Sequence, residues 1–345
     1  MRSWLAQCQE TSKPCFHANL PTSRSRCNTP RQLPFQPLRA EDELSSLDVA
    51  GLGGCTFLMK LTSHGSCLTW TTRLRACSLF LLLLAAASVP DYSRAAEGLM
   101  VHWTNNFLTV SGTNLPGERV EINYLEAFCR RGSTRRDWRE TTIPHKTELI
   151  NPDSKGKSLL LRTVVEPNIE IWHDIQAGMD EVTFRLRCEN QGQQPVDVEW
   201  FQPCMRVERF TGLNQSNYIS RCFIFTERGL TTLDKTRRTE EARYRGGQVY
   251  VPKGIDENDV NPRPLSPDRP VNNLIGCFSA DGKYLLANAW AKPQELFQGV
   301  IVCIHNDPRI GGLQPGEVKK LFGKLYFLKN DPQELLRRYE RDFGK

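Results

Sequence analysis

Residues 168–212 constrain the fold more tightly than any other stretch of the chain. Val182, Phe184, Leu186 and Cys188 alternate with Thr183, Arg185, Arg187 and Glu189. A two-residue period sends one set to each face of an extended chain, so this run predicts a strand with one side buried and one in water. Asn190, Gly192 and Pro195 break the run, and Val196, Val198 and Trp200 then resume it against Asp197, Glu199 and Phe201. The pattern predicts two antiparallel strands joined as a hairpin. Just upstream, Ile169, Ile171 and Ile175 share a face with His173, which places an imidazole in an apolar row.

The same pattern recurs along the chain. Residues 107–111, 118–128, 158–166, 219–226, 248–251, 274–279, 283–290, 299–305 and 318–328 are short, rich in β-branched and aromatic residues, and separated by Gly, Pro, Asn and Asp. About a dozen strands at this spacing predict an all-β fold, a large β-sandwich, and exclude alternating βαβ units. One helix is expected at the end. Asp331 precedes Pro332 and stands three residues before Glu334, a favourable helix start, and Leu335, Leu336, Tyr339 and Phe343 fall on one face. Two long excursions, 236–245 and 255–270, interrupt the strands, and loops of this length often carry function.

Residues 1–96 read differently. The apolar run 76–89 follows Lys60, Arg73 and Arg75 and precedes Ser93-Arg94-Ala95-Ala96, the three-part layout of a secretory signal. The run is short of the about 20 apolar residues that a membrane span needs, so export with cleavage near Ala96 is expected, with no stable membrane span after processing. Met59-Lys60-Leu61 makes a natural signal start. Residues 1–58 are then a disordered leader or an over-called start, 59–96 the signal peptide, and 97–345 a single β-sandwich domain. Of 45 Lys+Arg and 39 Asp+Glu, 10 and 6 lie in residues 1–96, leaving 35 against 33. A net charge near +2 gives no cationic footprint, so a nucleic-acid partner is not expected. Twelve cysteines divide six and six. Cys129, Cys188, Cys204, Cys222, Cys277 and Cys303 fall in the domain, where export permits disulfides and apolar strands suit buried thiols.

Four groups of residues could carry chemistry. His173 and His305, the latter on the face of Ile301 and Cys303, suit acid/base work if their surroundings tune them. Each also fits a core histidine satisfied by a hydrogen bond. Glu295, on the loop expected to lead into the strand 299–305, is a candidate carboxylate. Trp200, Gln202, Arg206 and Arg209 combine flat apolar surface with orienting polar groups, as saccharide sites do; Trp200 fits a core position equally well. Arg130, Arg131, Arg135, Arg136 and Arg139 form a cationic rim suited to an oxyanion, or a solvated loop balanced by Asp137 and Glu140. No cofactor motif is present. Asp256, Asn258, Asp259 and Asn261 offer hard oxygens to Ca²⁺ but lack the spacing of a known calcium loop.

Two segments carry a resemblance. EVTFRLRCENQGQQPVDVEWFQPC and GVIVCIHNDPRIGGLQPGEVKKLFGKLYFL, with its Leu313-Gln314-Pro315-Gly316-Glu317 turn, resemble strands of galactose mutarotase-like proteins, the aldose epimerase β-supersandwich group. The resemblance covers roughly a fifth of the chain. It implies a mutarotase-like sandwich and a saccharide partner. Where that family places its histidine after the hairpin this chain has Phe201-Gln202-Pro203-Cys204, and where it places its catalytic glutamate this chain has His305. NYLEAFCRRGS, IPHKTEL, QPCMRVERFTG and LIGCFSADGK further resemble a group of exported bacterial proteins, which implies export and no particular activity. Three functions stay open: saccharide binding, mutarotase-like histidine catalysis through His173, His305 and Glu295, and a non-catalytic interaction module.

Overall fold

A computed structural model describes residues 98–245 and 247–344; the expected leader and signal segment lie outside them. Among the described residues the chain forms seventeen strands. The first six are β1 (Met100–Thr104), β2 (Phe107–Ser111), β3 (Arg119–Arg130), β4 (Thr142–Ile143), β5 (His145–Pro152) and β6 (Ser158–Val165). Next come β7 (Ile169–Ala177), β8 (Glu181–Asn190), β9 (Val198–Arg206), β10 (Cys222–Thr226), β11 (Gly229–Thr232) and β12 (Gln248–Tyr250). The last are β13 (Leu274–Phe278), β14 (Tyr284–Trp290), β15 (Pro293–Gln298), β16 (Cys303–Pro308) and β17 (Val318–Lys329).

They pair into two large sheets. The first has eight strands in the order β1-β2-β3-β9-β16-β15-β12, with β4 beside β3. The second has nine, in the order β11-β10-β13-β14-β17-β8-β7-β6-β5. Every pairing between named strands is antiparallel. The all-β sandwich expected from the alternation is therefore the observed architecture.

The main core fills the space between the inner faces. Val120, Ile122 and Tyr124 of β3, Phe201 and Met205 of β9 and Ile304 of β16 meet Ile171 and Ile175 of β7, Phe184 and Leu186 of β8 and Trp290 of β14. Phe184 and Phe201 both pack against Trp290, with ring centroids 5.5 and 5.8 Å away. The outer face of the second sheet is closed by the C-terminal helix Pro332–Phe343, whose Leu335, Leu336, Tyr339 and Phe343 cover Phe223, Phe225, Tyr326 and Leu328. Asp331 caps this helix by accepting from the Gln333 and Glu334 N–H groups. Arg338 ties it down with a two-pronged pair to Asp180 at 2.8 and 2.7 Å.

Two local expectations are corrected. β8 and β9 are not a hairpin: β8 pairs with β7 and β17 in the second sheet, and β9 with β3 and β16 in the first. The turn residues 190–195 carry the chain across the sandwich, which alternation alone cannot distinguish from a return along the same sheet. The expected strand 299–305 is in fact the turn 299–302 followed by β16. Val300 and Ile301 are apolar yet exposed there, and Glu295 consequently lies within β15 instead of on a loop.

Strand β17 passes Trp290 at Gly323, its direct partner in β14. A methyl group added at Gly323 would come 2.5 Å from the indole Cε3. With the ring held on its other side by Phe184 and Phe201, the clash cannot be relieved by a small shift. Gly323→Ala is expected to lower stability by about 1–3 kcal/mol, as overpacked cores do, measured by urea unfolding.

Candidate functional site

The outer face of the first sheet carries most of the chemistry, and a bulge in β9 puts it there. Trp200 opposes Cys129 while Val198 opposes Arg130, so β9 inserts one extra residue at Glu199. An inserted residue reverses the facing of everything beyond it. Phe201 thus enters the core, and Trp200 leaves the face of Val198 to join Ala127 and Cys129 on the opposite side. Gln202, Cys204 and Arg206 follow Trp200 at two-residue steps. On β16 the same face holds Cys303, His305 and Asp307, flanking the core residue Ile304. Directly across on β15, Phe297 pairs with His305 and Glu295 with Asp307.

Two segments cover this face. The long segment 255–266 packs Ile255, Val260 and Leu265 on Phe297, Val249 and Val251. Its Asn261 N–H donates to Glu295 Oε2 at 2.7 Å. The arginine-rich loop closes from the other side, where Ser133 and Thr134 both donate to the Val260 carbonyl and Gly132 N–H donates to Asp259. Trp138 lies 6.5 Å from Trp200, centroid to centroid. The 255–270 excursion is therefore a cover, not a free surface connection. Asp259 faces Gly132 and Arg309, while Asp256 folds back on Asn258; the two carboxylates proposed for Ca²⁺ are turned to different partners.

Under the cover lies a buried polar cluster. Glu295 and Asp307 are fully buried and His305 is 2% exposed. His305 Nδ1 stands 3.7 Å from Asp307 Oδ1, and its Nε2 stands 3.3 Å from Cys303 Sγ. Burial, reinforced for Glu295 by the Asp307 charge, pushes both carboxyls up, Asp307 to about 6. Two opposed buried carboxyls share a proton more readily than they ionise together. Burial would push His305 down, but the Cys204 sulfur and the Asp307 carboxylate outweigh it and hold the imidazole up. Among the described residues, Glu295 Oε1, both Asp307 oxygens, His305 Nδ1 and Trp200 Nε1 lack hydrogen-bond partners.

One edge of this face is open. Arg119 and Glu121 of β3, Arg206 of β9, Glu208, Arg209, Gln215, Ile301 and Val302 line a cleft of about 270 Å³. Arg119 pairs with Glu121 at 3.1 Å. Among the described residues the Arg206 and Arg209 guanidinium groups have no ion pair. The structure thus brings Arg206 and Arg209 together at an open cleft, and His305 with Glu295 at a closed one. Trp200 and Gln202 are buried behind both.

His173 belongs to neither. Strand β7 directs it between the sheets, where the Tyr124 and Thr163 hydroxyls reach its ring nitrogens at 3.3 and 3.0 Å. Tyr124 comes from the inner face of β3, so the first sheet separates His173 from His305 and the two cannot act on one ligand. A strand ending at His305 sets Asp307 beyond it and unpaired with the imidazole, and the pairing of Cys204 with Cys303-x-His305 is not singled out in the sequence. The period-two run Cys303, His305, Asp307 was the available signal; it was obscured by ending the strand at His305.

No family model matches the chain, and no curated protein matches it. Solved structures similar to it include a putative aldose 1-epimerase from Escherichia coli K12, at 11% identity over 67% of this chain and 99% of that chain, TM-score 0.35. A putative mutarotase from Salmonella typhimurium is similar at 8% identity over 72% and 99%, TM-score 0.34. A galactose mutarotase-like protein from Lactobacillus casei ATCC 334 is similar at 11% identity over 67% and 100%, TM-score 0.33. These likenesses are distant, as the two short resembling segments imply.

Burial makes His173 a pH sensor of stability. Desolvation pushes it down to about 3, whereas an unfolded histidine titrates near ~6.5. Between these values the unfolded chain binds a proton that the folded chain does not. Its contribution is fully present above about pH 6.5 and is lost as pH falls, at ~1.4 kcal/mol per unit. Urea unfolding across pH 4–6.5, roughly the span between the two values, is expected to show a shallower slope for His173→Gln than for the native chain. Equal slopes would mean that His173 takes up its proton without unfolding.

Proposed function

We propose that this chain is an exported carbohydrate-binding protein that holds an anionic saccharide in the cleft of Arg119, Arg206 and Arg209. The convergence of Arg206 and Arg209 at one open cleft carries the reading. Guanidinium forks suit carboxylate and sulfate groups. Glu121, Glu208 and Gln215 supply acceptors and a donor for hydroxyls, and Ile301 and Val302 supply apolar surface for the sugar ring. The volume is just below the roughly 300 Å³ at which small-molecule sites begin, which fits a single sugar residue or a chain end.

The geometry favours binding over turnover. An acid and a base must reach the same ligand, yet His173 is on the far side of the first sheet, and His305 and Glu295 lie beneath Asn261 and its neighbours. Trp200 and Gln202 are too deeply buried to contact a ligand in the cleft.

Calorimetric titration of the chain with uronic acids, sulfated sugars and their neutral counterparts tests the proposal. Anionic sugars are expected to bind in preference, and Arg206→Ala and Arg209→Ala are each expected to weaken binding about 10–100-fold, the loss typical of a charged hydrogen bond. Unchanged affinity in both variants, or no binding by any sugar, would reject the cleft and favour a protein-interaction module. Export rests on the signal layout in residues 59–96. N-terminal sequencing of secreted protein is expected to begin near Glu97, and an intact 59–96 segment would contradict processing.

A further inference from the structure

Three buried donors point at one another inside the covered face. The Sγ atoms of Cys204 and Cys303 and a ring nitrogen of His305 all lie within 4.8 Å of one another. All three residues are buried. Cys204 lies directly opposite His305, and Cys303 opposite Arg206, so the cysteines are diagonal neighbours. Diagonal positions stand about 7–8 Å apart, beyond the about 4.4–6.8 Å that disulfides span between Cα atoms. The sulfurs nevertheless converge, with Cys303 Sγ at 3.3 Å from His305 Nε2. A zinc ion with bonds of ~2.3 Å to sulfur and ~2.0 Å to nitrogen needs donors roughly 3.5–3.8 Å apart, an adjustment within reach of side-chain rotation.

Two independent features point to a ligand. The first is Asp307, fully buried, with Glu295 opposite it and no N–H or O–H donor on either carboxylate oxygen among the described residues, one of them facing the Nδ1 of His305. A proton on Nδ1, directed at that carboxylate, leaves the Nε2 lone pair turned to the two sulfurs; this is how outer carboxylates orient metal-binding histidines. The second is Gly299. A Cβ there would collide with Cys303 Sγ and come 3.1 Å from His305 Nε2, so only a glycine lets the chain pass this close to the donors without displacing them.

We propose that Cys204, Cys303 and His305 form a binding site for a thiophilic d¹⁰ metal ion, Zn²⁺ in the first instance, with Asp307 as the residue that positions His305. Binding forms two metal–sulfur bonds and one metal–nitrogen bond, and the two thiol protons, with the Nε2 proton of the charged imidazole, leave to solvent. Three protein ligands with an open fourth position is the arrangement of reactive zinc sites more than of closed structural ones. The proposal does not depend on saccharide binding, since none of its donors lines the open cleft.

The test uses the full chain, purified without a metal-affinity tag and under reducing conditions, and loaded with Zn²⁺. Elemental analysis is expected to find an ion that Cys204→Ser, Cys303→Ser and His305→Gln each lose and that Cys129→Ser and Cys277→Ser keep. Titration in weak buffer is expected to release at least two protons per ion, and Co²⁺ in place of Zn²⁺ to show thiolate charge-transfer absorption that vanishes with Cys303→Ser. Asp307→Asn is expected to weaken affinity about 10–100-fold while keeping the Co²⁺ spectrum. Preference for Cu⁺ over Zn²⁺ in competition would keep the site and change its metal. Metal content equal in all variants, or a Cys204–Cys303 disulfide in protein isolated without reductant, would overturn the proposal. Should a serine variant fail to fold, the Co²⁺ spectrum and proton count of the native chain decide alone: absence of either rejects the site.

Discussion

The extra residue at Glu199 decides what this sandwich can present. Beyond it Phe201 turns inward to lie edge-on to Tyr124 and Trp290, and Trp200, Gln202, Cys204 and Arg206 are handed to the outer face. The bulge is held from outside its own strand. The Glu199 carbonyl accepts from the Ile310 and Gly311 N–H groups at 2.7 and 2.8 Å, and its buried carboxylate pairs with Arg309. The chain leaving β16 therefore locks the irregularity in β9. Without that lock a regular β9 would drive Trp200 into the space that Phe201 occupies and would turn Cys204 and Arg206 into the core. A buried unpaired guanidinium costs far more than the bulge itself.

A face so polar has to be covered with groups that can bond to it. Apolar Ile255, Val260 and Leu265 supply the packing, but the hydrogen bonds from Asn261 and Gly132 and to the Val260 carbonyl supply the register. Arg309 sits among Glu199, Asp259 and Gln294, so one cation binds the bulge, the cover and β15 together. The cover still leaves Asp307 and His305 without donors or acceptors of their own from it. Buried groups of this kind usually cost about 1–3 kcal/mol each when left unmade, a strong reason for them to lie beside one another and beside two thiols instead of being dispersed through the core.

Much of the architecture was legible because alternation reports burial directly. Ile169, Ile171, His173 and Ile175 do form one buried row, and Asp331 does open the C-terminal helix. Alternation does not report which sheet a strand joins, which is why β8 and β9 read as a hairpin. Nor does it survive a bulge: Trp200 follows Val196 and Val198 in sequence but not in space. The run Val300-Ile301-Val302 misled for a related reason, since apolar residues at a hairpin tip look like strand interior. The cysteine and histidine cluster was hidden because its members are about a hundred residues apart and meet only through the pairing of β9 with β16. Arg206 and Arg209, by contrast, needed no long-range pairing to be found together.

That pairing also links the open cleft to the closed cluster. Glu121, Arg206 and Cys303 form one row across β3, β9 and β16, and Asn123, Cys204 and His305 form the next on the same face. Rows two residues apart are separated by about 7 Å, less than the Debye length of ~8 Å at physiological salt. A charge at the cluster would therefore be felt in the cleft. A divalent ion bound by two thiolates and a neutral imidazole would make a neutral site, so the charge of the cleft would stay with Arg119, Arg206 and Arg209. Two thiols and a divalent ion are matched in charge in a way that a single thiol would not be, and that match would let the proposed metal site and the arginine cleft share one face of one sheet.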